Sequence, residues 1–201
     1  SIADFERIKE LVERFHVPAG LSLPRFAGNL WFWTEVPHGS PQSAVLVASK
    51  PFDGGRTLFD PRQVHVARPP FISWIAPSPN GHLLAIGLCG DGSEHNRIAL
   101  IDVASGKLDD RVPPQLLMDN WTGGVHWLPD STGFFFSGLD GDAHAYRQEV
   151  FLHKLRPDPV TVKVDIPWVK PGKDYRMVII TPDGKHAVAV ERRKNPIPVA
   201  I

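Results

Sequence analysis

Serine, histidine and aspartate could together carry out acyl transfer in this chain of 201 residues, provided a strained turn presented one serine as a nucleophile. On an α/β sheet that device is Gly-x-Ser-x-Gly between a strand and a helix, where the tight turn lifts the hydroxyl clear of the backbone. No such run is present. Gly92-Ser93-Glu94 and Phe136-Ser137-Gly138 are the nearest fragments; both lack the flanking glycines, and no helical pattern follows either. A Ser…Asp…His order occurs by chance in a sequence this long, so no catalytic residue is assigned.

Metal and phosphate chemistry fare no better. The histidines His16, His38, His65, His82, His95, His126, His144, His153 and His186 show no His-x-x-x-His spacing, and the lone Cys89 excludes a Cys-x-x-Cys pair. Asp140-Gly141-Asp142-Ala143-His144 alternates acids as a calcium loop does but lacks the further ligands and the closing Glu. Gly87-Leu88-Cys89-Gly90-Asp91-Gly92 has no Lys-Ser/Thr ending and carries acid where an anion would sit. Arg192-Arg193-Lys194 reads as a solvated loop. No metal, cofactor or cofactor-binding residue is expected.

Composition narrows the class. Lysine and arginine total 22 and so do aspartate and glutamate, so neither nucleic acid nor an anionic membrane is an expected partner. Hydrophobic residues at 42% are too many for a disordered chain. A single cysteine excludes an internal disulfide and suits a reducing compartment, no apolar run approaches a membrane span, and Ser1-Ile2-Ala3-Asp4-Phe5-Glu6 is not a leader; a cytoplasmic location is expected.

One segment has helical periodicity. From Asp4 to His16, Phe5, Ile8, Leu11, Val12 and Phe15 form a stripe that should pack on a core, with Ser1 and Asp4 at capping-box spacing and Pro18 as the stop. After Pro18 the period changes to two. Short β-rich runs follow at 31–34, 44–48, 72–76, 83–88, 98–103, 125–128, 134–136, 150–155, 177–181 and 187–191, separated by turn residues.

These runs repeat. Pro79-Asn80-Gly81, Pro129-Asp130-Ser131-Thr132-Gly133 and Pro182-Asp183-Gly184 each join two apolar strands, and their prolines lie 50 and 53 positions apart. Proline fixes φ at the turn, Asn or Asp bonds its own backbone, and glycine takes positive φ. Four strands in about 50 residues is a propeller blade. The expected fold is all-β: a partial β-propeller of about three to four blades of four-stranded antiparallel sheet, with one N-terminal α-helix. Residues 1–20 would be the helical segment and 21–201 the incomplete propeller. Trp74 and Trp127 occupy equivalent positions just before the Pro-Asn/Asp turns, on what should be the innermost strands. They would either line the channel and touch a passing peptide or pack between blades.

Specific runs resemble a known family. Leu23-Pro24-Arg25-Phe26-Ala27-Gly28-Asn29-Leu30-Trp31-Phe32-Trp33-Thr34, with Gln42-Ser43-Ala44-Val45-Leu46-Val47, resembles the start of the propeller of prolyl oligopeptidase-type serine peptidases. Gly124-Val125-His126-Trp127-Leu128-Pro129-Asp130, Gly133-Phe134-Phe135-Phe136-Ser137 and Glu149-Val150-Phe151-Leu152-His153-Lys154-Leu155 are similar to its blade strands. Arg156-Pro157-Asp158-Pro159 departs from the family's usual Gly-Thr, which leaves the subfamily open. The resemblance implies a seven-bladed propeller that caps a Ser/Asp/His α/β-hydrolase domain and admits only short peptides.

Seven blades need roughly 350 residues at blade length. The chain is therefore expected to be part of a longer protein, inactive alone, with a missing α/β-hydrolase domain as partner and peptide as the parent's substrate. An open arc should also self-associate through its blade edges. The alternative is a non-enzymatic, TolB-like propeller scaffold for protein–protein interaction. A third reading, a sandwich or barrel with a carbohydrate groove at Trp31, Trp33 and Trp121, conflicts with the 50-residue period.

Overall fold

A computed structural model describes residues 5–15, 20–37, 40–64, 69–90, 95–118, 124–140, 147–165, 176–181, 183–191 and 199–200. Gly92–Glu94, Trp121, Gly141–His144, Arg192–Lys194 and the histidines at 16, 38, 65 and 144 lie outside the described residues.

The strands build three complete blades and part of a fourth. The first is β1 (Arg25–Ala27), β2 (Leu30–Glu35), β3 (Ala44–Ala48) and β4 (Arg56–Phe59), paired in chain order. The second is β5 (Phe71–Pro77), β6 (Leu83–Cys89), β7 (His95–Asp102) and β8 (Leu108–Asp109). A two-residue strand, β9 (Leu117–Met118), leads onward. The third blade is β10 (Val125–Trp127), β11 (Gly133–Asp140), β12 (Arg147–Lys154) and β13 (Val160–Lys163). The fourth contributes β14 (Arg176–Ile180), β15 (Ala187–Glu191) and β16 (Val199–Ala200). Every pairing is antiparallel. Strand β9 bonds both β7, through Asn96 and Leu117, and β11, through Gly138 and Leu117, and so splices the second blade to the third.

Period two in each strand gives each blade two apolar faces, and the core is the set of gaps between blades. In β6, Leu84 and Ile86 face back toward Phe32, Val45, Val47 and Leu58 of the first blade. Ala85, between them, faces forward with Ile98 and Leu100 toward Val125, Phe134, Phe136 and Phe151 of the third. Val150, Val178 and Ala189 begin the next interface. The rings of Trp127 and Phe134 meet edge-on at 5.0 Å, and Phe136 stacks on Phe151 at 5.4 Å. Propeller stacking thus explains why nearly every long strand here is apolar on both sides.

The hairpin turns stack as well. Gly28 and Asn29 both have positive φ in the β1–β2 turn, and a Cβ on Gly28 would fall 2.2 Å from the Asn80 carbonyl oxygen. The Asn80 amide donates to Ser131 Oγ at 3.1 Å, and a Cβ on Gly184 would meet the Pro129 ring at 2.6 Å. Positive φ falls on Gly81, Ser131 and Gly184. In the second turn it is therefore Ser131, not Gly133, that takes the left-handed conformation. Gly133 is glycine for another reason: its position faces the His153 carbonyl oxygen across β12 at 2.3 Å from a Cβ.

The helix α1 (Phe5–Phe15) forms as its periodicity requires. Its placement differs from expectation. Phe5 and Ile8 are about half exposed, at 51% and 53%, so this part of the stripe is not packed on the propeller core.

Candidate functional site

Among the described residues, two clefts open between blades, at opposite ends of the strands. One, of about 430 Å³, lies among the stacked turns of the second and third blades and is lined by Asn80, His82, Asp102, Arg111, Asp130 and Arg156, among others. Its acids are held by their own turns. Asp102 Oδ1 accepts from the Ser105 amide at 2.8 Å and hydroxyl at 2.6 Å, and Asp130 Oδ1 accepts from the Thr132 amide and hydroxyl. These bonds favour the ionised form and hold both carboxyls below the ordinary aspartate range. The result is a mixed-charge surface whose acids are already engaged.

The other cleft, of about 350 Å³, lies between the inner strands β1 and β5, away from the turns. Ser22, Leu23, Arg25, Thr34, Ile72, Ser73, Trp74 and Ile75 line it. The Ser22 amide donates to the Thr34 carbonyl at 3.0 Å, and Ser22 Oγ accepts from the Thr34 amide at 2.9 Å, so residue 22 continues the line of β1 beside β2. Arg25 is exposed and makes no ion pair with any described residue. Among the described residues, no acidic side chain lines this cleft.

The two tryptophans singled out by sequence both meet the gap between the second and third blades. Trp74 is 9% exposed. A Cβ on Gly87 would lie 2.3 Å from its Nε1, and one on Gly124 would lie 2.4 Å from its Cδ2, so two glycines make room for the ring. Trp127 Nε1 donates to the Ala76 carbonyl at 2.9 Å and ties β10 to β5. Their positions are not equivalent in the repeat. Leu128 N bonds Gly133 O as Ser78 N bonds Leu83 O, which aligns Trp127 with Pro77 and Trp74 with Gly124. Trp33 is 1% exposed beneath Phe52 and Gly55, and Trp31 stands against Phe26, so neither presents an open carbohydrate platform.

Nothing catalytic assembles among the described residues. Ser137 is buried, and its hydroxyl has no hydrogen-bond partner there, so no imidazole activates it. Cys89 is buried and free. Among the described residues, no group of three or more His, Cys, Asp or Glu side chains could hold a metal, and no helix is long and apolar enough to cross a membrane.

Sequence reading missed a second repeat. Asp60 accepts from the Arg62 amide at 3.0 Å and grips its guanidinium, and Asp109 does the same with Arg111. These Asp-x-Arg clasps follow β4 and β8 and lie 49 positions apart, which is the blade period and was the available signal. The arginine side-chain bonds lower the pKa of both aspartates. The Arg111 carbonyl in turn accepts from His153 Nε2 at 3.0 Å, which fixes the neutral tautomer in which His153 Nδ1 accepts from Thr161 Oγ1 at 2.8 Å. Buried at 1% exposure against Phe134, His153 is pushed below its ordinary pKa by desolvation.

Comparison with known proteins agrees with this architecture. Residues 4–159 match the family described as prolyl oligopeptidase, N-terminal beta-propeller domain. No curated protein sequence matches. Among solved structures, prolyl oligopeptidase B from Galerina marginata without ligand superposes with a TM-score of 0.69 at 18% identity, over 98% of this chain and 31% of that one. The same enzyme bound to a 35mer hydrolysis and macrocyclization substrate gives 0.68 at 19% identity, over 93% and 30%. A structure from a study of two prolyl endopeptidases gives 0.68 at 15% identity, over 92% and 30%. The chain spans about 30% of the length of these relatives. With its blade period, stacked turns and matched residues taken together, the chain belongs to the prolyl oligopeptidase N-terminal β-propeller family.

Proposed function

We propose that this chain is a segment of the substrate-gating propeller of a prolyl oligopeptidase-like serine peptidase that cleaves short peptides. The observation that carries the reading is the family match over residues 4–159 of a chain that contains no nucleophile elbow. The α/β-hydrolase domain is its natural partner and supplies the serine, aspartate and histidine; this chain supplies a wall that folded proteins cannot pass. Trp74 and Trp127 serve the inner strands bordering the channel by locking β5 and β10 together, so they shape the wall from behind. Free blades outside that assembly associate through their open faces. The lone buried Cys89 suits a reducing compartment, and we place the protein in the cytoplasm on that ground.

The experiment is to express the longer protein with and without its whole propeller, of which residues 21–201 are a part. The complete form should hydrolyse short peptides and spare a folded protein of the same sequence content. Removal of the propeller should abolish that size discrimination. A reading frame that continues without Gly-x-Ser-x-Gly, Asp and His would refute the peptidase assignment.

A further inference from the structure

Among the described residues, the cleft between β1 and β5 is lined by one charged side chain, and it is cationic. Arg25 stands at its edge, exposed and without an ion pair among the described residues. The other walls are apolar, Leu23, Ile72, Ile75 and the edge of Trp74, with the hydroxyls of Ser22, Thr34 and Ser73 between them. Leu23 is 85% exposed, a large apolar side chain held beside the cation with nothing covering it. The turn-end cleft makes the contrast: its cations share their walls with Asp102 and Asp130.

A lone guanidinium beside apolar side chains selects an apolar molecule with one carboxylate. The arginine fork accepts a carboxylate in two parallel hydrogen bonds, and the hydroxyls can serve the neighbouring amides. A volume of about 350 Å³ is at the lower end of the ~300–1,000 Å³ range of ligand sites, so it fits the end of a peptide and not a long run of it. Inner strands border the central channel of a propeller, so a peptide inside the ring would meet this cleft. We propose that Arg25 and the β1–β5 cleft bind the C-terminal carboxylate of short apolar peptides, and so orient a peptide chain within the propeller. The inference rests on the peptide-gating reading and adds a polarity to it.

The test uses the 201-residue chain and unlabelled N-acetyl-Ala-Ala-Leu, as free acid and as C-terminal amide, in isothermal titration calorimetry. The free acid should bind about threefold to fivefold more tightly than the amide, the scale of one partly exposed ion pair. Added salt should shrink that preference, and Arg25→Gln should erase it while circular dichroism stays unchanged. Arg25→Lys should keep part of it. A third probe, N-acetyl-Ala-Asp-Leu amide, should bind as weakly as the plain amide; if it equals the free acid, the C-terminal assignment is wrong. Equal binding of acid and amide would overturn the role of Arg25 and leave the gating reading standing. Binding of neither peptide would count against both.

Discussion

Gly87, inside the apolar β6, and Gly124, just before β10, are glycines because Trp74 occupies the space their side chains would take. Gly87→Ala should therefore destabilise the chain by about 1–3 kcal/mol, as overpacking does, and chemical denaturation would measure it. Two kinds of titrating group set the pH response. Burial depresses His153, so its contribution is complete above the unfolded imidazole pKa of about 6.5 and is lost as pH falls through that value and toward the folded one. Asp60 and Asp109 are depressed by their arginine partners, so theirs persists to lower pH and is lost below about 4. An acid-denaturation series should show stability declining in these two windows, and His153→Gln should remove the upper one. Little of this was legible in sequence. His153 is one of nine histidines with no special spacing, and its meaning comes from Arg111 and Thr161, 42 and 8 positions away.

At the scale of elements, the long strands announced themselves because both faces are buried, and all ten apolar runs fall on strands of the structure. The strands that sequence did not show are the short or outer ones. Strand β13, Val160–Lys163, is largely exposed and its alternating Val-Thr-Val-Lys is a signal that sequence reading missed, while β8 and β9, of two residues each, are too short for periodicity to mark. The turns were legible as turns, but which residue takes positive φ was not, since a glycine stood two places from Ser131. Ser131 keeps its strained conformation while its hydroxyl accepts from the Asn80 amide of the preceding blade. Ser131→Ala should cost about 0.5–1.5 kcal/mol through that one bond, read as a lower denaturation midpoint with unchanged slope.

Across the whole molecule, adhesion between successive blades is the main cohesive force, and it is distributed unevenly. The second gap holds Phe134, Phe136, Phe151 and Trp74; the third, among the described residues, is built on Val150, Val178 and Ala189. Phe134→Ala should cost about 3–5 kcal/mol and loosen the two blades on either side, visible as coincident loss of amide protection in β7 and β11. The first blade ends the stack, with Phe26 and Phe52 more than half exposed beside Trp31 and Trp33. Sedimentation of the 201-residue chain should show concentration-dependent association, and a monomer that binds no hydrophobic dye would contradict it. The stacked turns, finally, say where such a ring can change in length. Gly28 on Asn80, Asn80 on Ser131 and Gly184 on Pro129 form a fixed pitch with no slack for an added residue. Lengthening one of those hairpins would wedge two blades apart. New loops, and with them new specificities, are therefore excluded from those hairpin tips.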